Sequence, residues 1–189
     1  MWTKCGSGML VLFLLALLAI SATFNVLQRG RILTLQESSS ASQAAGQIVP
    51  GASVPPIKAR DPAGIIATIN YSVRRKPLLI YVFSPSCGWC RRNSNRINSL
   101  VMQIQSRYDV IGLSLTPVGL QEFLNAHPTS FSVYTNPSQE TVNAYGLGTT
   151  PQTIAVSAEG KILSSWSGAY LKETGSQIEK FFSVTLPSD

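Results

Sequence analysis

Charge is what this sequence has least of. Only 13% of its 189 residues are charged, against roughly 25% in an ordinary soluble domain. Its small basic surplus of +6 (15 Lys+Arg, 9 Asp+Glu) is unevenly placed. Residues 1–60 hold five Lys/Arg and one Glu, +4, and residues 61–189 hold ten Lys/Arg and eight Asp/Glu, +2. Because the surplus lies mainly outside the C-terminal two thirds, a nucleic-acid partner has no support. There is one histidine, His127, which restricts metal sites. Cysteine is scarce too: Cys5, Cys87 and Cys90 cannot staple a disulfide-rich scaffold, so any cysteine chemistry is local and leaves one thiol over. What is present in quantity is apolar side chain, 44% of the residues, enough for a core and against wholesale disorder.

The apolar residues are not spread evenly. From Cys5 to Gln28 there are 24 residues without a charge, and Met9 to Ile20 is almost purely aliphatic; about 20 such residues span a bilayer. Either a membrane anchor or an export signal has this form. No clean A-x-A cleavage site follows, and apolar character continues through Phe24, Val26 and Leu27, so residues 1–28 read as a retained anchor. Lys4 on one flank and Arg29 and Arg31 on the other nearly balance, so flanking charge does not set the orientation. Residues 29–60 read as a flexible linker, Ser, Ala, Gly and Pro rich from Gln36 onward and without helical or strand periodicity. Residues 61–189 remain as one domain of ordinary size.

Within that domain the pattern alternates. Asp61-Pro62 resembles a helix N-cap followed by Pro at the first helical position, predicting a helix over 62–73. Leu78 to Phe83 is a short unbroken apolar run, the mark of a strand buried on both faces. A helix is expected from Gly88 to about Arg107, with Ile97, Leu100, Val101 and Ile104 on one face. Further on, a strand is expected over 110–115, a helix over 118–126, a strand over 131–134 and a helix over 138–145 closed by Gly146. Two strands, 153–156 and 162–166, join through a Gly-containing hairpin connection, and a helix over 172–182 ends the domain. This order predicts an α/β fold with a mixed central sheet flanked by helices.

The chemistry concentrates at Cys87-Gly88-Trp89-Cys90, between the buried strand and the helix that follows it. A helix N-terminus favours an anion through its free N–H groups, so Cys87 is expected to have a lowered pKa and to act as nucleophile. Two intervening residues bring both sulfurs together across one turn, so that Cys90 can resolve a mixed disulfide. A static disulfide and half of a zinc site are the alternatives. The second would need carboxylates, because no other Cys pair exists and only His127 could add an imidazole.

With Gly148-Thr149-Thr150-Pro151-Gln152-Thr153 opening a later strand, then Glu159-Gly160-Lys161-Ile162 and Ser167-Gly168-Ala169, the region from Lys76 to Phe182 resembles the thioredoxin superfamily. It is most similar to the membrane-anchored TlpA/ResA-type thiol-disulfide oxidoreductases. The resemblance implies a thioredoxin-like fold, catalytic Cys87 and Cys90, a cis Thr150-Pro151 peptide facing them, and substrate contacts at Thr150 and Pro151. It implies no cofactor and no resident metal. Two positions depart from the family pattern: Tyr81 stands where thioredoxins carry a buried acid, and Asn93 where ResA-type proteins carry a Glu. A phenol of pKa about 10 is a poor base at neutral pH, so the usual proton acceptor is missing. Trp89 is expected to project from the turn as an apolar contact for partners. Arg92 and Arg96, one turn apart, either raise the potential near Cys87, meet acidic substrates, or form a solvated face.

Protein disulfides persist outside the cytoplasm, which places the domain on the periplasmic or extracytoplasmic side of a bacterial inner membrane, held by a single span. The expected partners are exported proteins with cysteine pairs, apocytochromes of cytochrome c maturation among them, and a membrane electron donor. A tethered copper-binding or chaperone module, holding the metal through the soft thiolates, and a thioredoxin-like assembly factor of a secretion or conjugation apparatus are the competing functions.

Overall fold

Strand β3, Leu78–Phe83, is buried at all six positions. Since side chains alternate along a strand, Leu79, Tyr81 and Phe83 enter one hydrophobic cluster while Leu78, Ile80 and Val82 enter the other. The computed structural model describes residues 14–15 and 48–188. Around β3 runs a seven-stranded mixed sheet in the order β2 (Ile66–Ile69), β1 (Ile57–Arg60), β5 (Ser132–Thr135), β4 (Asp109–Ser114), β3, β6 (Gln152–Val156) and β7 (Ile162–Ser167). Helix α1, Gly88–Ile104, carries the chain from β3 to its parallel neighbour β4, Asp109–Ser114. After helix α2, Leu120–Ala126, strand β5, Ser132–Thr135, pairs in parallel with β4. Helix α3, Gln139–Ala144, is capped by Ser138, whose Oγ accepts from the Thr141 N–H. Then β6, Gln152–Val156, returns antiparallel to β3 and forms a hairpin with β7, Ile162–Ser167. Helix α4, Lys172–Phe182, completes the domain. These elements are those expected from the sequence, with ends shifted by a few residues. Their arrangement is a thioredoxin-like α/β fold.

Helix α1 buries the face that its spacing marks out. Ile97, Leu100, Val101 and Ile104 are at most 4% exposed. Truncating such a side chain, for example Leu100→Ala, costs about 2–5 kcal/mol.

Two expectations fail upstream of β3. The helix over 62–73 is instead a turn followed by strand β2, Ile66–Ile69. Asp61 Oδ1 accepts from the N–H groups of both Ala63 and Ile65. Gly64 supplies a positive φ of 81° that closes the turn. The same Asp-Pro pair that can start a helix therefore starts a hairpin, and the β-branched residues after it pair with strand β1, Ile57–Arg60. That strand lies inside the expected linker, so the folded region begins before residue 61. Ile57 is fully buried, and Gly51, Ala52 and Ser53 pair with the start of β7. No period was visible because each paired piece is at most four residues long. The anchor expected over 1–28, except the helical Leu14 and Leu15, and the linker from 29 to 47 lie outside the described residues. Among the described residues, no helix is long and apolar enough to cross a membrane.

Candidate active site

The end of β3 delivers Cys87 to the N-cap of α1, with φ −76° and ψ 115°. In that position its sulfur accepts the Cys90 N–H at 3.2 Å. This is an orphan donor of the helix's first turn, normally capped by an oxygen. The half-buried Cys87 thiol lies 3.4 Å from the Thr150 carbonyl, to which it donates when protonated. Thr150-Pro151 is a cis peptide. Structure thus brings Cys87, Cys90, Thr150 and Pro151 to one place, from segments more than 60 residues apart.

The two thiols, both free, differ in environment. For Cys87, burial pushes the pKa up, but hydrogen bonding with the Cys90 and Thr150 side chains and from the backbone N–H groups of Cys90 and Trp89 outweighs it and holds the thiol below its ordinary 9.0. Cys90 is fully buried, and burial first, then its hydrogen bond with Cys87, pushes it up to about 12. The pair is therefore one accessible sulfur that ionises more readily than an ordinary thiol and one that keeps its proton at neutral pH, the asymmetry that attack and resolution require. Trp89 beside them is 51% exposed, and the Arg92 guanidinium sits 5.0 Å from its ring centroid. Arg96 does not share that surface. It is buried, donating from Nη1 to the Tyr170 carbonyl at 2.7 Å and from Nε to that of Pro187 at 3.0 Å, so it ties down the C-terminal elements.

Beneath the thiols no carboxylate stands at either position where the family pattern has one. Asn93, 1% exposed, donates to the Tyr81 hydroxyl at 3.4 Å and accepts the Tyr170 N–H at 2.8 Å. The Tyr170 hydroxyl pairs with Thr153 Oγ1 at 2.7 Å. Tyr170 is thus bonded through its N–H, its carbonyl and its hydroxyl, to Asn93, Arg96 and Thr153 respectively. Gly175 in α4 is a close-approach position, since a Cβ there would meet the Tyr170 carbonyl oxygen at 2.8 Å. Burial drives the Tyr81 pKa well above its usual 10.0, so its phenol is a hydrogen-bonding group and not a base near neutral pH. Among the described residues, no three His, Cys, Asp or Glu side chains converge as metal ligands.

Sequence reasoning passed over Gln152. It directly follows Pro151, is 5% exposed, and its Oε1 has no hydrogen-bond partner among the described residues. The only signal available was an amide at the head of a strand otherwise suited to burial.

Comparison with known proteins agrees with this geometry. A "Thioredoxin-like protein" of Haemophilus influenzae is 28% identical over 92 residues, 47% of this chain, and the chain spans 53% of that relative's length. The Chlorobium tepidum structure described as a thiol:disulfide interchange protein DsbE superposes with a TM-score of 0.61 at 17% identity, covering 72% of this chain and 96% of the other. The thioredoxin domain of a Bacteroides vulgatus thiol-disulfide oxidoreductase gives 0.59 at 18% identity, over 72% and 99%. These two likenesses speak for the fold. The AhpC/TSA family model matches residues 50–165, more than half of the 189 residues. On that match the chain belongs to the AhpC/TSA family, and its fold is thioredoxin-like.

Proposed function

We propose that this protein is a membrane-tethered, extracytoplasmic thiol-disulfide oxidoreductase that reduces disulfides of exported proteins through Cys87 and Cys90. The observation that carries this reading is the pair's asymmetry: a half-buried Cys87 with a lowered pKa at a helix N-cap, against a buried Cys90 pushed up to about 12. In the proposed reaction the Cys87 thiolate attacks one sulfur of the substrate disulfide, forming a mixed disulfide and expelling the first substrate thiolate. Cys90 then attacks the Cys87 sulfur, expelling the second. The proton that Cys90 loses goes to the departing thiolate, since Tyr81 and Asn93, which stand at the positions of the family's acids, are not bases near neutral pH. Two electrons pass from the dithiol to the substrate, one proton comes from Cys90, the other, released to solvent when Cys87 ionises, returns to the first substrate thiolate, and the Cys87–Cys90 disulfide awaits a membrane electron donor. Thr150 and Pro151 hold the substrate backbone, and the exposed Trp89 offers an apolar contact.

Support for the tether is the uncharged run from Cys5 to Gln28, and support for the compartment is the persistence of protein disulfides outside the cytoplasm. Orientation is N-terminus in, domain on the periplasmic face of the inner membrane, with a single span. Trapping tests the reading. A Cys90→Ser chain expressed in cells should accumulate Cys87 mixed disulfides with exported proteins, seen on non-reducing gels and absent in the Cys87→Ser, Cys90→Ser double variant. No trapped species, together with stoichiometric metal binding by the wild type, would replace it with the copper-binding alternative.

A further inference from the structure

Across the Thr150–Pro151 loop from the thiols lies a cleft of about 450 Å³. Gln152, Thr149, Ser165 and Ser167 line it, with Val49 and Pro50 as an apolar wall. None of its lining residues is charged. Ser165 and Ser167 offer hydroxyls, but the distinctive group is the Gln152 carboxamide. Gln152 is 5% exposed, and its buried Oε1 has no donor among the described residues. An orphaned buried acceptor costs about 1–3 kcal/mol, and such groups in native proteins mark a missing partner. Side-chain alternation along β6 places Gln152 on the face opposite Thr153, which bonds Tyr170 beneath the thiols. The cleft therefore cannot take the reacting cysteine itself. It can take the chain beside it, because its lining residues Thr149 and Gln152 flank the Thr150–Pro151 peptide, whose Thr150 carbonyl is 3.4 Å from Cys87 Sγ.

We propose that this cleft is a second contact site for the polypeptide substrate, receiving an uncharged extended segment next to the reacting cysteine and donating one of its amide N–H groups to Gln152 Oε1. The proposal rests on the oxidoreductase reading for its substrate, but the cleft binds by hydrogen bonding and is testable apart from turnover. In the full-length chain in detergent, with dithiothreitol as terminal reductant, Gln152→Leu should lower kcat/KM for insulin about 3- to 10-fold, as expected for one lost amide hydrogen bond. The loss should appear in KM, while the rate with glutathione disulfide, too small to reach the cleft, stays unchanged. Ser167→Trp, which fills the cleft from its exposed rim and leaves Gln152 in place, should act in the same sense. Binding is read directly from the ¹⁵N side-chain amide pair of Gln152, which should shift on titration with S-carboxamidomethylated insulin B chain, a probe without thiols. Equal losses for insulin and glutathione disulfide, no loss for either, or an unmoved amide pair would overturn the subsite and leave Oε1 to an ordered water. If the wild type reduces neither disulfide the oxidoreductase reading fails, and the amide titration still decides the subsite.

Discussion

Each face of the sheet buries an apolar cluster, rich in aromatic rings on the α1 face and mainly aliphatic on the other, and the two treat their polar groups differently. On the α1 face, around the thiols, Asn93, Thr153 and Tyr170 form one bonded set, and Arg96 closes it against two carbonyls. On the opposite face the buried Tyr71 and Tyr145 hydroxyls bond each other, Tyr145 also reaches the Pro55 carbonyl, and Gln152 is left with an unmet acceptor. The difference teaches where constraint and vacancy are placed. The polar set beneath the nucleophile is bonded throughout, while the buried polar atoms left unmet among the described residues, on Arg74, Asn98, Thr135 and Gln152, lie outside it, and of these Gln152 directly follows the Thr150–Pro151 peptide.

Four experiments would break or sharpen this contrast. The largest effect belongs to Cys87→Ser, which should bring insulin reduction down to the uncatalysed background, while Cys90→Ser keeps the first attack and stops at the mixed disulfide. Next is Asn93→Leu. It strands the buried Tyr170 N–H and removes the donor to Tyr81, and should lower unfolding free energy by about 2–3 kcal/mol in urea titrations. A neutral result would show that the bonded set around the thiols does not hold them. On the other face, Tyr145→Phe should cost about 1 kcal/mol with disulfide reduction unaltered, and a fall in rate there would erase the functional distinction between the faces.

The smallest change concerns pH. Because the Cys87 thiolate is favoured in the fold, iodoacetamide should modify it in a single step with a midpoint below 9.0, and the step should vanish in Cys87→Ser. The sign for stability follows: a lowered folded pKa favours the reduced fold above the ordinary thiol value, and that contribution fades as pH falls through the lowered one. Cys90 should stay unmodified across the same range, having its pKa near 12. Equal alkylation of both sulfurs would remove the asymmetry on which the proposed reaction depends.

Much of the fold was legible because its signals are local. The unbroken run Leu78–Phe83, the helical spacing from Ile97 to Ile104, and two cysteines between strand and helix each lie within about twenty residues. Strands β1 and β2 were not legible, since Asp61-Pro62 begins a turn and a helix equally well. Only pairing with a neighbouring strand decides between them.

By itself, then, the sequence determined the order of elements from Leu78 onward, the CxxC pair at a helix start, and the missing acids at Tyr81 and Asn93. Those follow from residue type and spacing along the chain. Tertiary structure decided that Arg96 is a buried tie and not a surface cation, because its acceptors at Tyr170 and Pro187 lie 74 and 91 residues away. It also decided that Gln152 keeps a free acceptor beside a cleft. Whether a polar atom is satisfied depends on what distant chain packs against it, and no local pattern encodes that distance.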